Sequence, residues 1–341
     1  MASLKELCKS RDLSLTELSK RTGIGLPQLS RIENGKANPR KKTLEKIADV
    51  LRIDVETLRG LFVKNKSIDN TFDRWLFLKG LDSDLKSGLL QKLISTWTHH
   101  STSLEGNTIS EGDTHLILTE GLTISGKSLL EHQEVYGHGS AVRMISQMLA
   151  EGHTLTVQRC HELHKLIQTQ LIFDIFKPIG KFKVEVNGTQ ALKSNGDSFW
   201  HTYSDPIHVP YLMDKWMEQF KTGMHPIDDK NKALDIYTEL HLWLTAIHPY
   251  ADGNGRLARL LSNIPLLRSG FAPLIIHKEA RREYLGLLGN HGGAYPSPSR
   301  EVPYLQRGAE MEALRSFFKD QWEKTYSIIE EFRENQDKRL K

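Results

Sequence analysis

A mainly α-helical chain in two parts is what this sequence predicts, and three observations predict it. Apolar residues recur at spacings of three and four along most of the 341 positions. No repeating strand–helix series is present to build a parallel sheet. Positive charge gathers at one end: residues 1–64 carry 14 Lys+Arg against 8 Asp+Glu, and while that segment is net +6, the rest of the chain sums to −2. The asymmetry predicts a small basic module with an anionic partner, joined to a larger and nearly neutral one. With 38% hydrophobic residues the chain can bury a sizeable core. No apolar run approaches the roughly 18 residues of a membrane helix, and the start, MASLKELCKS, carries charge where a secretory signal is apolar. The expectation is a soluble cytoplasmic protein with no membrane partner. Cys8 and Cys160 are too few for a disulfide framework or a thiolate zinc site.

In the basic segment, Leu4, Leu7 and Cys8 give one helical face. Ser14 and Glu17 have capping-box spacing and open a second helix through Leu15 and Leu18. Gly23 makes a turn. A third helix follows with Pro27 in its first turn, Leu29 and Ile32 inward, and Gln28, Ser30 and Arg31 outward. Thr43, Leu44, Ile47, Val50 and Leu51 mark a fourth. LTELSKRTGIGLPQLSRIENGKANP resembles the lambda-repressor-like (XRE, Cro-like) helix-turn-helix family over about 60 residues. The resemblance implies a domain at 1–63 that binds duplex DNA, its third helix in the major groove with Gln28, Ser30 and Arg31 as readers. Leu26 departs from the pattern, standing where a polar base reader is more common. The polar stretch KNKSIDN predicts a linker at 64–71.

Two motifs invite chemistry that their surroundings do not support. GLTISGKS, Gly121 to Ser128, fits G-x-x-x-x-G-K-[ST] letter for letter, but a phosphate loop of that kind needs a buried strand before it and a parallel sheet around it. His115-Leu-Ile-Leu118 and LIFD at Leu171 to Asp174 are the only strand-like neighbours, and neither belongs to a strand–helix series. The stretch reads as a loop between helices. His161-Glu-Leu-His164 falls one residue short of the zinc-protease spacing, so these read as helix-surface or core histidines.

The stretch IHPYADGNGRLAR, Ile247 to Arg259, carries more. Leu234, Tyr237, Leu240, Leu244 and Ile247 mark a helix that Pro249 should stop near His248. Leu257, Leu260, Leu261, Ile264 and Leu267 fall on one face of a second helix. Asp252-Gly-Asn-Gly255 therefore delivers its amides to a helix N-terminus, where glycine permits close approach and the dipole attracts an anion. Arg256 and Arg259 share one side and can hold phosphate oxygens. Asp252 offers a hard carboxylate for Mg²⁺, and histidine, with an unperturbed pKa near 6.5, suits proton removal at neutral pH.

HPYADGNGRLARLLSN closely resembles the signature of the Fic family, H-x-F-x-[DE]-G-N-G-R-x-x-R. Tyr250 for Phe is the single departure, and it adds a hydroxyl that needs a partner. The resemblance implies an all-α core with a small β-hairpin flap at 72–300, and transfer of AMP from ATP to a Ser, Thr or Tyr hydroxyl of a target protein or of the chain itself. It implies His248 as base, Asp252 as the Mg²⁺ ligand, Gly253, Asn254 and Gly255 as the anion hole in the signature loop 248–259, and Arg256 and Arg259 on the β- and γ-phosphates. KFKVEVNGTQALK alternates, with Asn187-Gly188 as a turn, and predicts a hairpin. It is similar to the family's flap, implying that Lys181, Phe182, Lys183 and Val184 align a target by strand pairing. Tyr284, in EYL, resembles an adenine-side position, with Asn290 a weaker match.

Leu90, Leu93, Ile94, Trp97 and Leu104 predict a helix over about 88–106 ended by Gly106 and Asn107, placing Glu105 in its last turn, where the dipole disfavours an acid. STSLEGN resembles the Fic inhibitory motif [ST]-x-x-x-E-[GN], which implies that Ser101 and Glu105 belong to a brake and that Glu105 pairs with Arg259. Three readings stay open: an autoinhibited adenylyltransferase, a hydrolase that removes AMP with the same residues, and a nucleotide-sensing transcription regulator. A helical extension at 301–341, with a helix from Met311 to Phe332, either packs on the core or pairs two copies into a homodimer.

Overall fold

A computed structural model of the chain describes residues 4–9, 11, 13–33, 41–51, 75–168 and 177–340. It divides into two units, Met1–Ile68 and Asp69–Lys341. The expected linker at 64–71 and the LIFD stretch lie outside the described residues.

The first unit holds α1 (Leu4–Lys9), α2 (Leu15–Thr22), α3 (Leu26–Glu33) and α4 (Lys41–Leu51). Leu4, Cys8, Leu18, Ile24, Leu29, Leu44, Ile47 and Leu51 form its core. Burying each such side chain contributes about 1.5–3 kcal/mol against leaving it in water. Ser14 caps α2 by accepting the Glu17 N–H at 3.1 Å. The box is only half made, because the Glu17 carboxylate accepts from Arg21 Nε instead. Gly23, at φ 69°, ends α2 and lets the chain turn into α3. On α3, Leu29 and Ile32 are buried while Gln28, Ser30 and Arg31 are exposed.

The second unit is mainly helical: α5 (Ser83–Ser103), α6 (Glu111–Glu120), α7 (Leu129–Ala150), α8 (Val157–Ile167), α9 (Val209–Thr222), α10 (Lys230–Ile247), α11 (Asn254–Leu261), α12 (Asn263–Arg268), α13 (Arg281–Ala294) and α14 (Ala309–Leu340). A single antiparallel pair, β1 (Gly188–Leu192) and β2 (Ser198–Thr202), interrupts it. Helix α10 is central, packing on α9, α11, α12 and α14, and α11 also meets α5 and α8. Such a centre must be apolar around most of its circumference, and Leu234, Tyr237, Leu240, Trp243, Leu244 and Ile247 are all buried. Of the two expectations for the C-terminal helix, packing is observed: Leu314, Phe318, Trp322 and Ile329 are buried, and α14 lies on α5, α10 and α13. No described helix is long and apolar enough to cross a membrane.

The hairpin sits one Asn-Gly further along than expected. Gly188 pairs with Thr202 and Leu192 with Ser198, so Asn187-Gly188 opens β1 rather than turning it. The turn falls at Asn195-Gly196, where Gly196 has φ 95° and donates to Lys193 O at 3.0 Å. Asn187 is committed elsewhere: its Nδ2 donates to Tyr250 O and its Oδ1 accepts from Lys183 Nζ. Asn290 on α13 holds the turn, accepting from Ser194 N–H and donating to Ser194 Oγ.

GLTISGKS is a loop between α6 and α7. Gly121 caps the end of α6 at φ 70°, and Ser128 opens α7 in a capping box with Glu131. Lys127 Nζ donates to the Thr108 carbonyl and hydroxyl, 2.9 and 2.8 Å away. Its charge is spent inside the fold.

Candidate active site

Helix α10 ends because Pro249 forces the residue before it out of helical geometry. That residue, His248, takes the left-handed conformation at φ 53° and ψ 60°, closing the helix through its N–H to Leu244 O at 2.9 Å. It is the single non-glycine with positive φ among the described residues. Its ring is not free, as the sequence suggests, but stacked on Tyr203, with centroids 3.6 Å apart and planes 9° apart. Nδ1 lies 3.3 Å from Thr245 O. A carbonyl can only accept, so Nδ1 carries the proton and Nε2 keeps its lone pair. Burial, then the nearby Lys183 charge, pushes the ring down to a pKa of about 3, well below the unperturbed value.

The loop after His248 is held from three sides. Asn254 bridges it internally, accepting from Tyr250 N–H at 2.9 Å and donating to Tyr250 O at 2.8 Å. Its side chain thus shapes the loop, and what it can offer an anion is its backbone. Tyr250 is buried, its ring parallel to His164 at 4.0 Å and its hydroxyl 3.0 Å from His161 Nδ1, so the extra hydroxyl has its partner. His164 Nε2 donates to Asp252 O at 3.0 Å, while its Nδ1 accepts from Gly180 N–H at 2.9 Å. That pair of bonds requires the neutral ring, and burial lowers His164 to about 4. His161 and His164 are therefore the braces of the loop, a role their spacing in the sequence does not announce.

Gly253, at φ 77°, starts α11. A Cβ there would come 3.1 Å from Gln168 Oε1. The first N–H groups of α11 have no acceptor within their own helix and face the end where an anion would sit. The Asp252 carboxylate accepts from Gly253 N–H at 2.7 Å and from Gln168 Nε2 at 3.0 Å, and its side chain stays 68% exposed. A single exposed carboxylate beside an anion cradle fits Mg²⁺, which keeps waters and is completed by phosphate oxygens.

The two arginines part company. Arg256, expected at the phosphates, is turned inward: it donates to Ile167 O at 3.0 Å, Gln168 Oε1 at 2.7 Å and Glu134 Oε1 at 3.3 Å, and its side chain is 5% exposed. At the first turn of α11 it faces α7 and α8, whose acceptors satisfy its fork. Arg259, a turn later, faces α5. Its Nε donates to Ser101 Oγ at 3.0 Å, and its Nη2 to Ser101 O at 2.8 Å and Glu105 Oε1 at 2.7 Å. Glu105 lies just past α5, in the turn whose N–H reaches Thr102 O, rather than in the last helical turn. Arg281 Nε holds that turn from outside by donating to Leu104 O at 2.7 Å.

Tyr284, expected on the adenine side, is a core residue. It is 2% exposed, packs with Phe317 and Phe318, and its hydroxyl meets His241 Nε2 at 3.0 Å. Of the four expected flap residues none is in a strand. Lys183 is buried and ties its N–H to Pro249 O at 2.9 Å, Phe182 contacts His161 and Tyr250, and Lys181 and Val184 are exposed. Burial lowers Lys183 to about 8. Tyr203, Gln168 and Glu134 had no signal in the sequence, since each acts through a partner distant along the chain.

Among the described residues, His100, His277 and Glu279 place potential ligand atoms within 4.8 Å of one another. His100 Nδ1 already accepts the Lys278 N–H at 3.2 Å, and burial with its histidine neighbours lowers it to about 3. Neutral imidazoles stacked in this way fasten α5 to the segment ahead of α13.

Residues 154–266 match the Fic/DOC family, and residues 4–58 match a helix-turn-helix family. The protein adenylyltransferase fic-1 of Caenorhabditis briggsae is 30% identical over 238 residues, covering 67% of this chain and 42% of that protein. The protein adenylyltransferase Fic of Drosophila willistoni is 32% identical over 209 residues, 58% of this chain and 37% of the relative. The chain thus spans about two fifths of the length of these relatives. A Fic domain containing signaling protein from Bacteroides thetaiotaomicron has a similar structure, with a TM-score of 0.61 and 25% identity over 77% of this chain and 96% of that one. Residues 134–508 of Fic-1 from Caenorhabditis elegans share the fold at a TM-score of 0.57 and 21% identity, over 95% and 97% of the two chains.

Proposed function

The chain carries a Fic/DOC-family domain behind a helix-turn-helix domain, and from that premise we propose that it is an autoinhibited protein adenylyltransferase coupled to a DNA-binding head. The observation that carries this reading is the tautomer of His248: with the proton on Nδ1 fixed toward Thr245 O, Nε2 is the base, above a helix N-terminus built for phosphate. In the reaction a target hydroxyl oxygen attacks the α-phosphorus of ATP as its proton passes to Nε2. The bond to the pyrophosphate breaks, and pyrophosphate leaves. Asp252 would hold Mg²⁺, which when bound offsets charge on the α- and β-phosphates. The amides at Gly253 to Arg256 hold phosphate oxygens, and most of the rate comes from this positioning. A ring with a pKa of about 3 is a weak base, and the negative polyphosphate beside it raises its proton affinity when ATP is in place.

Arg259 is the cation for the γ-phosphate, and Glu105 occupies it. The described form is therefore the restrained one. The four residues of the predicted flap and the hairpin β1–β2 serve the target segment, with Lys183 tied to Pro249 as the fixed end. A second reading has its own support: Glu105 engages Arg259 through Oε1 alone and is 38% exposed, which suits it to orient a water that removes AMP. Incubating the full chain with ATP labelled at the α-phosphate tests the first reading, and AMP release from a labelled product tests the second. Label in neither experiment would leave only nucleotide sensing. The head is read as a duplex DNA binder through Gln28, Ser30 and Arg31 on α3, with target genes regulated by the state of the second domain.

A further inference from the structure

Tyr203 follows β2 directly, and three bonds fasten its neighbourhood to the loop that carries the base. Tyr203 N–H donates to Asn187 O at 3.1 Å, Asn187 Nδ2 donates to Tyr250 O at 3.0 Å, and Lys183 N–H donates to Pro249 O at 2.9 Å. The Tyr203 ring then lies flat on His248 at 3.6 Å. Thr245 O fixes the His248 ring by one edge, which leaves rotation about that hydrogen bond free. A parallel ring at van der Waals distance removes this freedom. From this geometry we infer that Tyr203 is a positioning residue for His248, setting the plane of the imidazole and so the direction of the Nε2 lone pair, and that it couples the hairpin to the base.

The alternatives for that role are few. Lys183 Nζ stands 5.9 Å from the Tyr203 ring and is committed to Asn187 Oδ1, and His201 packs on the Tyr203 edge at 5.0 Å. Neither touches the imidazole face. The groups that act on the charge of His248 are Lys183 and His201, which oppose protonation, and Asp252, which favours it. Tyr203 carries no charge at neutral pH, its hydroxyl being held up near 12 by burial. Its effect on His248 is therefore through contact and exclusion of water. The hydroxyl is dispensable to stacking, so the ring and not the phenol is what the inference requires.

The role in catalysis rests on the adenylyl-transfer reading, whereas the contact with His248 does not, and the test has an arm for each. Tyr203→Phe and Tyr203→Leu are made in the full chain, with and without Glu105→Gly. In the first arm His248 is titrated by NMR with ¹³C-labelled histidine and no nucleotide. Wild type and Tyr203→Phe should keep the ring neutral at pH 5, and Tyr203→Leu should move its midpoint toward about 6, as water reaches the face. In the second arm, labelling from ATP in the Glu105→Gly background should fall about tenfold or more for Tyr203→Leu in kcat with KM for ATP nearly unchanged, the pattern of a lost transition-state geometry. Its labelling should also decline as pH drops below about 6, because a base protonated there cannot accept, while Tyr203→Phe should stay near the parent. An unmoved His248 midpoint in Tyr203→Leu, or Tyr203→Phe as damaging as Tyr203→Leu, overturns the inference. A shifted midpoint with no labelling from any variant upholds the contact and counts against adenylyl transfer instead.

Discussion

Glu105 Oε1 accepts from Arg259 Nη2 at 2.7 Å across 154 positions of sequence, and a Cβ added at Gly255 would come within 2.8 Å of that same oxygen. The pair therefore sits on the rim of the anion cradle, at the one place where a charged side chain from α5 can reach the start of α11. Arg259 cannot give the same donors to Glu105 and to a phosphate.

Glu105→Gly should accordingly raise label transfer from ATP by about tenfold or more, the equivalent of at least ~1.4 kcal/mol of released interaction. ATP affinity should change less, since the cradle and Asp252 are untouched. Flat labelling together with lost AMP release from a modified protein would assign Glu105 to hydrolysis.

His248→Ala should leave nucleotide binding in place and cut transfer by about 100-fold or more, the usual cost of a lost general base. Combining it with Glu105→Gly should give no more label than His248→Ala alone. Equal labelling with and without the imidazole would remove His248 from the mechanism.

Arg256→Ala distinguishes a phosphate ligand from a structural cation. The buried fork leaves Glu134, Gln168 and Ile167 O without their donor, at a cost of about 3 kcal/mol, or a melting temperature lowered by about 8 °C. Thermal unfolding of the full chain measures this. An unchanged melting temperature with weakened ATP binding would return Arg256 to the phosphates.

Four histidines predict an acid-sensitive fold. Burial holds His100, His138 and His241 near 3 and His164 near 4 in the folded chain. Above pH 7 both states are neutral at these sites, so none of the four biases stability. As pH falls through about 6.5 the unfolded chain takes protons that the folded one refuses until about pH 4. Unfolding near pH 5 should then take up at least about three protons, with stability falling by about 4 kcal/mol per pH unit. Calorimetry in buffers of different ionisation enthalpy counts those protons, and a melting temperature that is flat from pH 7 to 5 would refute the prediction.

For the head, duplex DNA binding should weaken about tenfold or more between 50 and 200 mM salt, as released counterions require. Gln28→Ala with Arg31→Ala should lower affinity for a selected site more than for random duplex. Equal losses would mean that α3 touches the backbone without reading bases.

The helical pattern made most of the architecture legible, and Pro249 and the two glycines located the cradle, because backbone constraints are local and leave local marks. Sequence reasoning erred where two equal local signals competed. Asn187-Gly188 and Asn195-Gly196 are equivalent turn signals, and only the bonds from Asn187 to Lys183 and Tyr250 decide between them. Arg256 and Arg259 likewise carry one chemistry. What separates them is which neighbouring helix each faces, a property of packing and not of spacing. Tyr284 read as a surface contact because its burial comes from Phe317 and Phe318, more than thirty residues later. His161 and His164 were noticed for a spacing they lack, and their actual work lies in a loop some 90 residues away.

The left-handed backbone at His248 sets selection for durability against selection for chemistry. Glycine is the residue that adopts φ 53° without steric cost, and a non-glycine there carries strain of order 1 kcal/mol. A lineage drifting toward a sturdier fold would thus be drawn to His248→Gly, a change that relaxes the helix end and erases the proposed base in one step. Copies that have abandoned transfer while keeping the fold should show their history first at this codon. Retention of histidine there in any descendant is then a record of continued use.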